Sequence, residues 1–122
     1  MYNNEDFVSF ETAKAMRTGG YPQRKKENAY AGSKYNIYGE LTTAPFAEHF
    51  AAPTLWEAHK HLRKKFGIDI VTFHERLPED CYWSRIEHNL LTVYEQEPIY
   101  NSFEKSLDAA IRYCYENKIC SK

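Results

Sequence analysis

The stretch Ala52–Phe73, APTLWEAHKHLRKKFGIDIVTF, decides the fold. Pro53-Thr54-Leu55-Trp56-Glu57 has the form of a capping box. Thr54 stands at the N-cap, where its hydroxyl accepts from the N3 amide, and Glu57 at N3 reaches back to the cap amide. Leu55, Ala58, Leu62 and Phe66 then recur at i, i+3, i+7 and i+11, which is one stripe of a helix. Lys64 and Lys65 fall in the last turn, where cations offset the negative dipole end, and Gly67 is the stop. The spacing predicts a helix over 54–66. The next residues, Ile68 to Phe73, are rich in β-branched side chains and read as a strand. Ile68, Ile70 and Thr72 share one face, and Asp69, Val71 and Phe73 the other.

Working outward, Pro78-Glu79-Asp80 marks a turn, Tyr82–Ile86 a second strand, and His88-Asn89 another turn. Leu90–Tyr94 returns the chain, so 68–96 reads as an antiparallel three-stranded meander ended by Pro98. A last helix, near 102–117, opens at Ser102 and carries a stripe of Phe103, Leu107, Ala110, Ile111 and Cys114. Toward the N-terminus, Ser9 caps a short helix through Phe10, Ala13 and Met16, which Gly19-Gly20 and Pro22 terminate. Residues 21–28 read as a polar loop, 34–40 as a strand with Tyr35 and Ile37 on one side, and 41–53 as a connection. The expected architecture is a single α+β domain over 1–122, a two-layer sandwich. It has an antiparallel sheet of three to four strands, two long helices on one face and a short N-terminal helix.

Composition excludes several classes without selecting a chemistry. The chain has 122 residues, enough for one domain with a sizeable core. Sixteen Lys and Arg against 17 Asp and Glu leave a formal net charge of -1, so no global polyanion-binding charge exists. The start, MYNNEDFVSF, is polar and acidic rather than a secretory leader, and no apolar run is long enough for a membrane helix. The expectation is a cytoplasmic protein with no membrane contact. Cys81, Cys114 and Cys120 are odd in number and lack metal or redox spacing, which predicts three reduced thiols.

Three blocks resemble a known group of proteins. APTLWEAHKHLRKKFGIDIV at 52–71 is similar to a recurring pattern APT-x-x-E-A-x-x-WLR-x-x-x-GI-x-I. VSFETAKAM and YNSFEKSLDAAI resemble its SFE-x-AKAL and YDSYEEALEAGI blocks, in the same order. The pattern belongs to an uncharacterised small-protein family of Bacteroides-type bacteria and their phages. The resemblance implies one small domain, often linked to phages or mobile elements, and carries no activity or ligand. The chain departs from the pattern at His61, where the family has Trp, so the edge of this helix is expected to pack differently.

No catalytic or cofactor motif emerges. Gly19-Gly20 and Gly32 form neither a dinucleotide fingerprint nor a phosphate loop. His59 and His61 point to opposite sides of their helix. Glu57 and His61 share a side but lack further ligands for a metal. His74 and Cys81 have the types of a nucleophilic pair without an orienting third group. The expectation is therefore no enzyme, no cofactor and no metal.

Two surface readings remain. Ten Tyr exceed what a core accommodates with hydroxyl partners, and exposed Tyr and Trp favour protein interfaces. Trp56 either seals the helix end against the sheet or anchors a partner. The candidate interaction surface is Tyr30, Tyr35, Trp56, Lys60, Arg63 and Lys64, for a protein partner that includes a second copy of the chain as a homodimer. The alternative is nucleic-acid binding. It would use Arg24-Lys25-Lys26 and Lys34 with the basic face of helix 54–66, stacking bases on Tyr30 and Tyr35.

Overall fold

In the computed structural model, which describes residues 4–23, 33–43, 50–76 and 79–119, the capping box is complete. The Glu57 amide donates to Thr54 Oγ1 at 3.1 Å, and the Thr54 amide donates to Glu57 Oε1 at 2.9 Å. Around this start the elements follow in order. A 3-10 turn (Asn4–Asp6) leads into α1 (Phe10–Thr18). Then come β1 (Lys34–Tyr35), β2 (Leu41–Thr42) and β3 (Phe50–Ala51). Helix α2 (Leu55–His61) precedes β4 (Ile68–Glu75), β5 (Cys81–His88), β6 (Leu91–Glu95) and α3 (Phe103–Glu116). The described residues thus form an α+β structure with three α-helices and two three-stranded antiparallel sheets.

Helix α2 does not stay regular. Its continuation, Leu62–Phe66, is π-helical. A turn closed by i→i+5 bonds holds one residue more than an α-turn. Arg63, Lys64 and Lys65 face outward between the fully buried Leu62 and the half-buried Phe66. Gly67 ends the segment at φ +69°, and a Cβ there would lie 2.8 Å from Asn89 Oδ1. Both the left-handed backbone and the close approach of the β5–β6 turn require glycine.

The larger sheet, in the order β4-β5-β6, matches the expected meander. Ile70 pairs with Ile86 and Phe73 with Trp83, and β6 carries one extra residue, Val93, opposite the Ile86/Glu87 step. Ile68, Ile70 and Ile86 are buried against Leu62, Leu107 and Ile111, while Phe73 and Trp83 stack on the other face with centroids 4.4 Å apart.

The smaller sheet corrects two expectations. Only Lys34–Tyr35 of the stretch 34–40 is strand. Asn36 Oδ1 accepts from the Tyr38 and Glu40 amides at 2.9 and 3.0 Å and turns the chain, leaving Ile37 and Tyr38 exposed. A short polar side chain competing for backbone amides has this effect. Residues 41–53, read as a connection, supply β2 and β3, which flank β1 in the order β2-β1-β3. The expected single sheet is therefore two sheets.

A buried polar chain joins α3 to the larger sheet. Ser106 Oγ donates to Gln96 Oε1 at 2.8 Å, which also accepts the Ser84 amide at 2.8 Å. Gln96 Nε2 donates to the Ser106 carbonyl at 3.0 Å. Ser106 has one hydroxyl proton, so Ser84 Oγ, 2.7 Å away, donates to it, and Thr72 Oγ1 donates to Ser84 at 2.8 Å. Ser84 and Ser106 are fully buried. Ser106→Ala should cost about 1–3 kcal/mol, because it leaves buried Gln96 and Ser84 groups short of a partner. In urea titrations the Ser84→Ala, Ser106→Ala double variant should lose less than the sum of the two singles, since the pair belongs to one chain of bonds. Additive losses would show that the hydroxyls act independently.

Candidate functional site

Three helix starts meet on one side of the molecule. Ser9 caps α1, Thr54 caps α2 and Ser102 caps α3. The N-terminal strap crosses between them. Phe7 bridges to Thr54, and the Val8 amide donates to the Pro53 carbonyl at 3.0 Å. The Ser9 amide and hydroxyl donate to the two carboxylate oxygens of Asp108 on α3, at 2.7 and 2.8 Å. The cap of α1 is thereby held by α3 rather than by its own helix alone.

This convergence leaves a trough of about 440 Å³ between the first turns of α2 and α3, with Trp56 and His59 on one wall, Phe103 and Glu104 on the other, and Asp6 at the rim. Trp56 is 63% exposed and Phe103 46% exposed, large apolar groups that the fold leaves open to solvent. Lys60, one turn after Trp56, places Nζ 4.8 Å from the indole ring centre, a cation–π contact. Glu104 also lines a second hollow of about 600 Å³ bordered by Phe10, Tyr100 and Arg112.

His59 ties the trough to the sheet. Its Nε2 lies 2.9 Å from Asp69 Oδ1, and the Ile70 amide lies 3.0 Å from that oxygen and 3.1 Å from Nε2. A bare Nε2 would set two lone pairs against each other at 2.9 Å. The neutral ring therefore carries its proton on Nε2 and donates to Asp69, and the Ile70 amide donates to the same carboxylate. Burial lowers the His59 pKa below the ordinary imidazole value, and Arg63 adds to this, against the opposing pull of Asp69. His61 is also lowered, by burial and by Lys65. Its ring stands edge-on to Tyr21 at 4.9 Å and to Phe66 at 6.0 Å, so it packs as an aromatic where the resembling pattern has Trp.

The structure divides the candidate surface. Trp56, Arg63 and Lys64 are exposed, and Lys60 is half-buried beside Trp56. With 63% of Trp56 open to solvent, the indole does not seal the helix end. Tyr35 lies in the core, where its hydroxyl donates to the Val8 carbonyl at 2.6 Å, and burial raises its pKa. Lys34 is buried beside it and donates to the Thr43 carbonyl at 3.4 Å. Tyr30 and Arg24-Lys25-Lys26 lie outside the described residues.

Phe103 opens the apolar stripe of α3 but stays 46% exposed. Phe103 is the first helical residue, and the stripe reaches the core only from Ser106 and Leu107 onward. Its neighbour Ser102, as N-cap, was the available signal that this end of the stripe overhangs.

The other constellations come apart. Glu57 is spent in the capping box, and His59 and His61 face different neighbours. Cys81 pairs in register with Glu75, whereas His74 pairs and stacks with Tyr82 on the opposite face of the sheet. Cys81 is half-buried on β5, Cys114 is fully buried in α3, and Cys120 lies outside the described residues. Among the described residues no group of three or more His, Cys, Asp or Glu is arranged to hold a metal ion, and no helix is long and apolar enough to cross a membrane. No family model, curated protein or solved structure matches the chain.

The two histidines set a pH dependence. Their folded pKa values lie below the unfolded value of about 6.5, so the unfolded chain takes up protons first as pH falls. Their contribution to stability is constant above about pH 7 and declines as pH drops through 6.5 toward the lowered folded values. Urea titrations from about pH 8 to about pH 5 should show this decline, and the His59→Gln, His61→Gln variant should flatten it. An unchanged slope in the variant would assign the dependence to other groups.

Proposed function

We propose that the chain is a non-enzymatic protein-interaction or regulatory domain whose docking face is the trough between the starts of α2 and α3. In this reading it is a two-layer sandwich in which α2 and α3 lie on one face of the larger sheet and present their first turns to a partner. One observation carries the proposal. Trp56 is 63% exposed and forms, with Phe103, the walls of a single apolar trough. Trp is enriched, with Tyr and Arg, among the residues that anchor interfaces, and an exposed apolar patch in a concave site suits recognition. Affinity capture from the native cell should retain specific proteins on the wild-type chain and lose them on Trp56→Ala. An identical set on both would remove Trp56 as the anchor and this reading with it.

A second reading rests on the π-helical segment, where Arg63, Lys64 and Lys65 stand exposed side by side. Three adjacent cations suit phosphate groups. The burial of Lys34 and Tyr35 removes two members of the footprint that the sequence suggested. If the segment binds nucleic acid, affinity should fall steeply between about 50 and 200 mM salt. Replacing all three cations by Ala should then lower the slope by about one unit per lost phosphate contact. Filter binding with no salt-dependent retention would dismiss this reading.

A further inference from the structure

We infer that one end of the larger sheet, where the β5–β6 hairpin turns beside the π-helical segment, docks on an anionic membrane surface. Leu90 and Leu91 insert among the lipids, and Arg63, Lys64 and Lys65 lie against the headgroups. The inference goes beyond the docking role of the trough and uses none of its residues. It also departs from the expectation of no membrane contact, which rested on the lack of a spanning run; a surface contact requires none. The first observation is Leu90. Asn89 and Leu90 form the two-residue loop between β5 and β6, with φ of +54° and +75°. Loops of this form favour Asn-Gly, because glycine adopts the second position freely. A leucine there carries backbone strain. This one is also 93% exposed, so packing does not offset the strain, and Leu91 beside it is 71% exposed.

The second observation is the charge next to this tip. The Gly67 amide donates to the Arg63 carbonyl at 3.2 Å, and the Asn89 amide donates to the Gly67 carbonyl at 3.1 Å. Two hydrogen bonds thus fasten the turn to the cationic segment. Among the described residues Arg63, Lys64 and Lys65 form no ion pair. The carboxylates at this end of β4 and β5 are engaged elsewhere, Asp69 by His59 at 2.9 Å and Glu87 by Arg85 at 3.3 Å. The helix end itself presents only about half a negative charge against the three cations, so an anionic occupant fits. A second copy does not, because contact between two tips about a two-fold axis would set both groups of cations together. Leu90 and Leu91 project from a hairpin tip and line neither hollow described above. The occupant must therefore receive an apolar projection. A lipid interface does so, admitting apolar side chains about 5–10 Å into the headgroup and acyl boundary while adjacent Lys and Arg meet anionic headgroups.

The test is co-sedimentation of the full chain with vesicles of phosphatidylcholine alone, or of phosphatidylcholine with about one-third phosphatidylserine. The chain is expected to partition onto the anionic vesicles and not onto the neutral ones, with retention falling as salt rises. Replacing Arg63, Lys64 and Lys65 by Ala should lower the partition coefficient about fivefold per cation. Leu90→Gly suits the left-handed backbone and should melt no lower than the wild type. Combined with Leu91→Thr it should still lower the partition coefficient about tenfold. A lower melting temperature for Leu90→Gly would remove the strain argument and count against the inference. Retention that the leucine variant leaves unchanged would show adsorption by charge alone and overturn insertion. Equal retention on both kinds of vesicle would overturn the anionic assignment. Absence of retention on either would overturn the inference outright, and salt-dependent binding of nucleic acid in its place would assign the cations to the second reading. A dimer in sedimentation that Leu90→Gly dissolves would make a second copy the occupant and overturn the membrane contact. The trough is decided separately, by the capture experiment with Trp56→Ala.

Discussion

The buried hydroxyl chain from Thr72 through Ser84 and Ser106 to Gln96 is the constraint on which the rest of the molecule depends. Apolar contact between α3 and the sheet supplies most of the attraction, but it is nearly indifferent to small slides of the helix. Hydrogen bonds between buried groups are not, because any slide leaves a donor or acceptor without its partner. Every member here is on a different element: Thr72 on β4, Ser84 on β5, Gln96 just after β6 and Ser106 on α3. One arrangement satisfies them all, and it fixes where α3 begins.

That position propagates to the functional face. With Ser106 anchored, Asp108 two residues later is held where both of its oxygens meet Ser9, and α1 is docked by its cap. The same anchoring leaves Phe103 and Glu104, the first turn of α3, overhanging the core beside the first turn of α2. The trough is therefore a consequence of two helices starting at the same level. Trp56 and Phe103 in its walls are left uncovered by the core that buries Leu55 and Leu107 below them.

The electrostatics of the molecule are divided in a related way. Cations cluster at the C-terminal end of the α2 segment, at Arg63, Lys64 and Lys65, where the dipole is negative. Carboxylates cluster at the helix starts, at Glu11, Glu57 and Glu104, where it is positive. Each group first answers a local requirement of its helix.

Residues Thr54, Glu57 and Gly67 determined their own part of the structure from sequence alone, because capping and left-handed stops are local and depend on neighbours within a turn. The meander 68–96 was legible for a similar reason. Its alternation of apolar and polar faces is a period that a strand must honour. Strands of two residues, such as β1, β2 and β3, carry no period, so the second sheet was not legible. The exposure of Trp56 and Phe103, the burial of Lys34 and Tyr35, and the capture of Ser9 by Asp108 across 99 residues were decided only by the tertiary structure. A sequence states which side of an element is apolar. How far along that side the neighbouring element extends is set by packing and by bonds between distant residues, and that extent determines which aromatic groups are covered and which are left to meet a partner.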